Sequence, residues 1–188
     1  MVGFPTDTVY GMGCRAGSLA AIQRLYEIKS RPSHQALILM SASVAEVALF
    51  AEWIPAAEAL SQRFWPGPLT LILKAKVVGE GLRGRGTVGV RIPANETALE
   101  LLRRSGPLAT TSANRHGHHP LLDAAAAVRD LPDLSGALAN GSGEREATAP
   151  SSILDLTGEK PVLLRQGGLS ARELGLDVPG VDPRIRRD

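Results

Sequence analysis

The sequence is poor in the features that most often announce a function. It has one cysteine, Cys14, in 188 residues. No disulfide can form within the chain, and a secreted, disulfide-stapled scaffold is excluded. No apolar run approaches the ~20 residues that a membrane helix needs. The start, MVGFPTDTVYG, has neither the charged beginning nor the apolar stretch of a signal peptide. A cytoplasmic protein without membrane contact is therefore expected. Aromatic residues make up 4% of the chain, with Trp53 and Trp65 scattered, which is poor material for stacking single-stranded bases. The formal net charge is +2, so the basic residues matter only where the fold gathers them. A Walker A sequence is missing, which argues against a P-loop nucleotide site.

What is present is an ordinary core-forming composition, 44% hydrophobic and 21% charged, in a length that suits one domain. We place that domain at 1–175 and a tail at 176–188. Helical and strand periodicities alternate. Helices are expected over 19–30 after Ser18 as N-cap, over 43–52, 55–64, 95–106 and 123–131, and over a short segment capped by Ser170. Strands are expected at 36–40, 69–75, 87–93, 107–114, 137–140, 151–157 and 161–167. Val2–Phe4 reads as the last few residues of a strand, so either the first strand is short or its beginning lies before Met1. The pattern predicts an α/β fold around one mixed sheet flanked by helices.

Strand parity then places polar residues. Thr87, Gly89 and Arg91 share one face of their strand, opposite Val88, Val90 and Ile92; Thr110, Ser112 and Asn114 share a face if that strand stays regular. Ser151 shares a face with Ile153 and Asp155, and Leu163 with Arg165. A half-solvated sheet would look similar. The residue choice favours more: neutral and cationic donors dominate, which suits an anionic or polyoxygenated ligand. Lys29 and Arg31 stand where a helix ends before Pro32. They either extend into solvent at a helix C-terminus or supply a point charge and a planar fork for phosphate oxygens.

Three other signals carry less. Gly79–Gly84 matches GxGxxG but precedes a strand rather than a helix, so no helix N-terminus is available to a pyrophosphate. His116, His118 and His119 match no usual zinc spacing. Cys14 reads as a small buried residue rather than a nucleophile.

Together, FPTDTVYGMG (4–13), EIKSRP (27–32), WPGPLTLIL (65–73), TVGVRIP (87–93), PLATTSAN (107–114), PSSILDL (150–156) and LLRQG around Arg165 resemble the YrdC/Sua5 family in content and order, over about residues 2 to 175. The resemblance implies an open, twisted α/β sheet enclosing a large cationic cavity. It also implies an L-threonylcarbamoyladenylate synthase that joins L-threonine, bicarbonate and ATP, with Mg²⁺ on the phosphates, and releases pyrophosphate. A tRNA threonylcarbamoyl transferase complex would then act on adenosine 37, and a weak tRNA contact is compatible with this. The chain is similar to the short, single-domain type.

By motif, the resemblance assigns Thr8, Arg91, Thr110 and Ser151 to threonine, with Arg91 on its carboxylate. It assigns Lys29, Arg31, Gln35, Thr87, Ser112, Asn114 and Arg165 to the nucleotide, with Lys29 and Arg31 as the catalytic pair. It names no protein metal ligand. Chemistry would rest on positioning and charge neutralisation, and closure of loop 79–86 would keep water out. Two departures stand out. Met40 replaces a common histidine, and 115–121 lacks the usual serines. The alternatives are an RNA-binding module of the same fold and a carbamoyl-adenylate-handling relative.

Overall fold

The computed structural model describes residues 1–30, 32, 35–76, 82, 86–114, 118–119, 121, 123–141 and 149–176. Among these residues, nine strands form one mixed sheet: β1 Val2–Phe4, β2 Gly11–Arg15, β3 Ile38–Met40, β4 Leu69–Lys74, β5 Thr87–Arg91, β6 Leu108–Ser112, β7 Gly136–Ala137, β8 Ser152–Asp155 and β9 Val162–Arg165. Their order across the sheet is β7-β1-β2-β6-β3-β5-β4-β8-β9. The pairs β1–β7, β3–β5 and β4–β8 are parallel and the rest antiparallel. The helices are α1 Leu19–Lys29, α2 Val44–Phe50, α3 Pro55–Phe64, α4 Glu96–Ser105 and α5 Ala124–Asp130.

Local chemistry sets most helix ends. Ser18, Ser43, Asn95 and Asp123 each accept an N–H from the first turn of the helix they cap. Pro55 opens α3, where its missing N–H is no loss. Gly106 ends α4 at φ 73°, a conformation that a side chain would oppose.

The two faces of the sheet differ. On one, Met12, Cys14, Leu39, Leu71, Val90, Ala109 and Leu154 pack with Ile22 and Leu25 of α1, Val47 of α2, Ala57 of α3 and Ala127 of α5. On the other, α4 alone covers a smaller cluster in which Ala98 and Leu102 meet Phe4, Met40 and Leu108. One helix cannot cover nine strands. The rest of this face carries Gly13, Thr110, Ile38, Gly89, Ile72 and Asp155 in one register row, and Thr70, Ile153 and Arg165 in another. This face holds most of the candidate residues. Met40, which stands in for a common histidine, faces this side but lies under α4 in the apolar cluster.

Three expectations change, and one strand had not been expected. Gly11–Arg15 is a strand, although GMGCR has no β-branched residue and two glycines. The expected strand at 137–140 shrinks to Gly136–Ala137. The segment after Ser170 makes turns rather than a helix, closed by reciprocal Ser170–Glu173 bonds. Leu163 and Arg165 do not share a face: a register shift pairs Ile153 with Arg165 but Leu154 with Leu163. The extra residue in β9 leaves Leu163 against the core and turns Arg165 to the opposite side. The expected loop 79–86 and tail 176–188 lie largely outside the described residues; Leu82, between 77 and 85 the one residue described, is buried in the core.

Candidate active site

The site has two polar clusters. The first gathers around Lys29. It ends α1, and Ser30 follows in the left-handed conformation at φ 50°, with its N–H bonded back to Glu27 and Tyr26. This C-cap carries the chain away from the helix axis and leaves Lys29 beside the end of β6. Its ammonium donates to the Ser112 carbonyl and to Asn114 Oδ1 at 3.2 Å, with Ser112 Oγ at 3.5 Å. Ser112 Oγ donates to Asn114 Oδ1 at 2.5 Å. Strand β6 stops at Ser112, so Asn114 reaches this cluster by a turn and not by strand parity. Lys29 is 1% exposed; it does not extend into solvent. Its charge is dispersed into neutral oxygens of the segment that the sequence pairs with it. Arg31 lies outside the described residues.

The second cluster centres on Arg91, at the end of β5 and 2% exposed. Its guanidinium is held on three sides: Nε donates to the Gly67 carbonyl at 3.1 Å, Nη1 to Thr8 Oγ1 at 2.7 Å and Nη2 to Asp7 Oδ1 at 2.6 Å. Asp7 Oδ1 also accepts the Ala94 N–H at 3.0 Å, tying the segment after β1 to the entry of α4. Asp7 Oδ2 is buried without a hydrogen-bond partner. Burial pulls the Arg91 guanidinium below its ordinary pKa, and Asp7 acts against that.

Arg165 completes this cluster. Its Nε donates to the Ser151 carbonyl at 3.0 Å and its Nη2 to Ser151 Oγ at 3.1 Å. Ser151 Oγ is 2.9 Å from Thr70 Oγ1. Arg165 is half-buried, with neutral partners only, and its pKa is lowered first by burial and then by the positive charge of Arg91. The positive charge of Arg91 thus acts on Arg165, while the carboxylate of Asp7 pairs with Arg91. The arrangement favours an added anion beside Arg165.

Thr110, Thr87 and Gln35 are the other candidates among the described residues. Thr110, in register with Gly13 and Ile38, spends its hydroxyl proton on the Ile38 carbonyl at 2.8 Å. Thr87 opens β5 opposite Lys74, about 13 Å along the strand from Arg91. The main chain of Gln35 is fixed by bonds to Pro32 and Tyr26. Sequence reasoning passed over Thr6, Asp7 and Thr70. Thr70 had left a signal, as the one hydroxyl alternating with leucines in LTLIL; Thr6 and Asp7 lay unexamined inside PTDT.

A groove beside α4, lined by Glu96, Thr97, Glu100, Leu101, Arg104, Leu138 and Gly141, contains none of these residues. Its two carboxylates make it a poor place for an anion. Among the described residues no three His, Cys, Asp or Glu side chains come together as metal ligands, and no helix is long and apolar enough to cross a membrane. Cys14 is buried, and burial raises its thiol to about 11.

Comparison with known proteins adds the relatives of this arrangement. The family model of Sua5, YciO and YrdC, described as "Telomere recombination", matches residues 1–167. Threonylcarbamoyl-AMP synthase of Pyrococcus abyssi is 42% identical over 178 residues, which is 93% of this chain and 52% of that protein. A putative threonylcarbamoyl-AMP synthase of Mycobacterium tuberculosis is 37% identical over 188 residues, 97% of this chain and 84% of that one. The crystal structure of P. abyssi Sua5 complexed with L-threonine superposes with a TM-score of 0.85 at 40% identity, covering 92% of this chain and 52% of that one. The chain thus spans about half the length of the Pyrococcus protein.

Proposed function

This chain belongs to the Sua5/YciO/YrdC family, and we propose that it is a threonylcarbamoyl-AMP synthase, which makes threonylcarbamoyl-AMP and pyrophosphate from L-threonine, bicarbonate and ATP. The product would pass to a tRNA threonylcarbamoyl transferase complex for modification of adenosine 37. The observation that carries the reading is Arg165. It is a half-buried cation on neutral partners, with the positive charge of Arg91 acting on it, and the Pyrococcus relative at 40% identity was crystallised with L-threonine.

The chemistry follows from charge. The amine of threonine and bicarbonate form a carbamate with loss of water. A carbamate oxygen attacks the α-phosphorus of ATP, and pyrophosphate leaves with the bonding electron pair. Threonine carboxylate, carbamate and triphosphate must then lie close together. Two unit charges 4 Å apart repel by about 4 kcal/mol at an effective dielectric constant near 20, so the task of the protein is to cancel that repulsion. In this reading Arg165, assigned by resemblance to the nucleotide, moves to the amino-acid end because its hydrogen bonds go to Ser151; Arg91, Thr8, Thr110 and Ser151 stand there with it. Lys29, Ser112 and Asn114 stand at the nucleotide end, to which Arg31, Gln35 and Thr87 are assigned by resemblance. The buried bonds of Lys29 make it a support for the Ser-x-Asn turn as well as a source of charge. Magnesium would arrive on the phosphates of ATP as part of the substrate.

The test is pyrophosphate release from MgATP, with L-threonine and bicarbonate each omitted in turn and with serine offered in place of threonine. Release that requires both co-substrates is the expected result. Release without threonine would favour the carbamoyl-adenylate-handling relative. No release, together with salt-sensitive RNA binding, would favour the RNA-binding module.

A further inference from the structure

We infer that Thr6 is a positioning residue that fixes the direction of the Thr8 hydroxyl, so that Thr8 receives an N–H or O–H hydrogen of the bound amino acid and never donates to its carboxylate. This rests on the proposed amino-acid site and deepens it.

The argument is a count of protons. Thr6 Oγ1 lies 2.7 Å from the Val9 carbonyl, which can only accept, so the single hydroxyl proton of Thr6 goes there. Thr6 Oγ1 also accepts the Thr8 N–H at 3.1 Å. Its contact with Thr8 Oγ1 at 3.0 Å must then be donated by Thr8, because Thr6 has no proton left. Thr8 Oγ1 accepts from Arg91 Nη1 at 2.7 Å, and a guanidinium can only donate. One lone pair on Thr8 remains. Both threonines are almost fully buried, so bulk water does not scramble the chain Arg91 → Thr8 → Thr6 → Val9. The consequence is a division of labour. Arginines meet the carboxylate, and Thr8 meets a hydrogen-bond donor. A zwitterionic hydroxy-amino acid offers both, whereas a dicarboxylate would set an oxygen against the Thr8 lone pair.

The experiment measures KM for L-threonine, KM for ATP, kcat and melting temperature in Thr6→Val, Thr6→Ser, Thr8→Val and the Thr6→Val/Thr8→Val double variant. Thr6→Val should raise KM for L-threonine at least tenfold, with KM for ATP and kcat within twofold. Thr6→Ser should restore KM to within twofold, and Thr6→Val should add nothing in the Thr8→Val background. Should Thr6→Val fail to fold, Thr6→Cys, which fills the space with a weak hydrogen-bonding group, takes its place. An unchanged threonine KM in Thr6→Val beside a raised one in Thr8→Val overturns the role of Thr6 alone. A Thr6→Ser variant as impaired as Thr6→Val also overturns it, since packing would then be the cause. An unchanged threonine KM in Thr8→Val overturns the amino-acid site itself.

Discussion

Asp7 and Arg91 form a buried ion pair whose side chains are 14% and 3% exposed. Removing one partner of such a pair leaves an uncompensated charge in a dry place, which typically destabilises by about 3–5 kcal/mol. Asp7→Asn should therefore lower unfolding free energy by that order in urea titration. Asp7→Asn combined with Arg91→Met should recover part of the loss, because the double variant buries no charge. A loss below about 1 kcal/mol in the single variant would mean that Arg91 finds compensation elsewhere. Cys14 offers a second residue-scale test, through pH. Its thiol moves from 9.0 in the unfolded chain to about 11 in the fold, chiefly by burial. The folded state thus holds the thiol proton more tightly. The stability this gives is fully present below pH 9 and is lost as pH rises from 9 to 11, on the order of 3 kcal/mol. Cys14→Ala should flatten the stability curve in that window; an unchanged slope would refute the assignment. The same burial predicts slow reaction of the native thiol with thiol reagents at pH 8.

At the scale of elements, two glycines in one register row make opposite predictions. A Cβ on Gly13 would meet Thr110 Cγ2 at 3.0 Å, the Ala109 carbonyl oxygen at 3.2 Å and Phe4 Cε1 at 3.3 Å. Gly13→Val should overpack this crossing of β1, β2 and β6 and destabilise by about 1–3 kcal/mol. A Cβ on Gly89 finds nothing nearer than 3.6 Å. Gly89→Val should keep the melting temperature and instead raise substrate KM, by narrowing the uncovered face. Equal effects of the two changes on stability would show that this face is packed throughout. The same glycines explain what the sequence hid. Helices α1 to α5 were legible because caps, Pro55 and Gly106 bracket clear periodic runs. Strand β2 was not, because GMGCR forms a strand for reasons outside itself: Phe4 and Thr110 pack where side chains would stand. Most of the hydroxyl and cationic candidates were legible as the polar residues of otherwise apolar strands. The aim of Arg165 was not, since a bulge in β9 reverses the parity on which such reading depends. Asp7 was not, since its partner Arg91 is 84 positions away.

The whole molecule gathers its candidate site from positions 8, 29, 91, 110–114, 151 and 165, on six different segments joined by one sheet. No part of the site can form before the sheet does, so ligand binding should report on global unfolding. Its electrostatics give the sign. Arg165 has neutral partners and feels the positive charge of Arg91, so an anion bound beside it relieves repulsion that the unfolded chain does not feel. MgATP with L-threonine and bicarbonate, or the product pyrophosphate with L-threonine, should raise the melting temperature. At a hundred times Kd the gain is about 2.7 kcal/mol, or roughly 5–10 °C for a chain of this size. Arg165→Gln changes two opposing quantities in the free protein. It gives up two hydrogen bonds to Ser151 and removes a repulsion, so its melting temperature without ligand should stay within a few degrees of the parent. Its ligand-induced shift should fall by more than half. A variant that melts well below the parent yet keeps the full shift would make Arg165 a strut for Ser151 and nothing more, and the anion would then have to be held by Lys29 and its neighbours at the other end of the face.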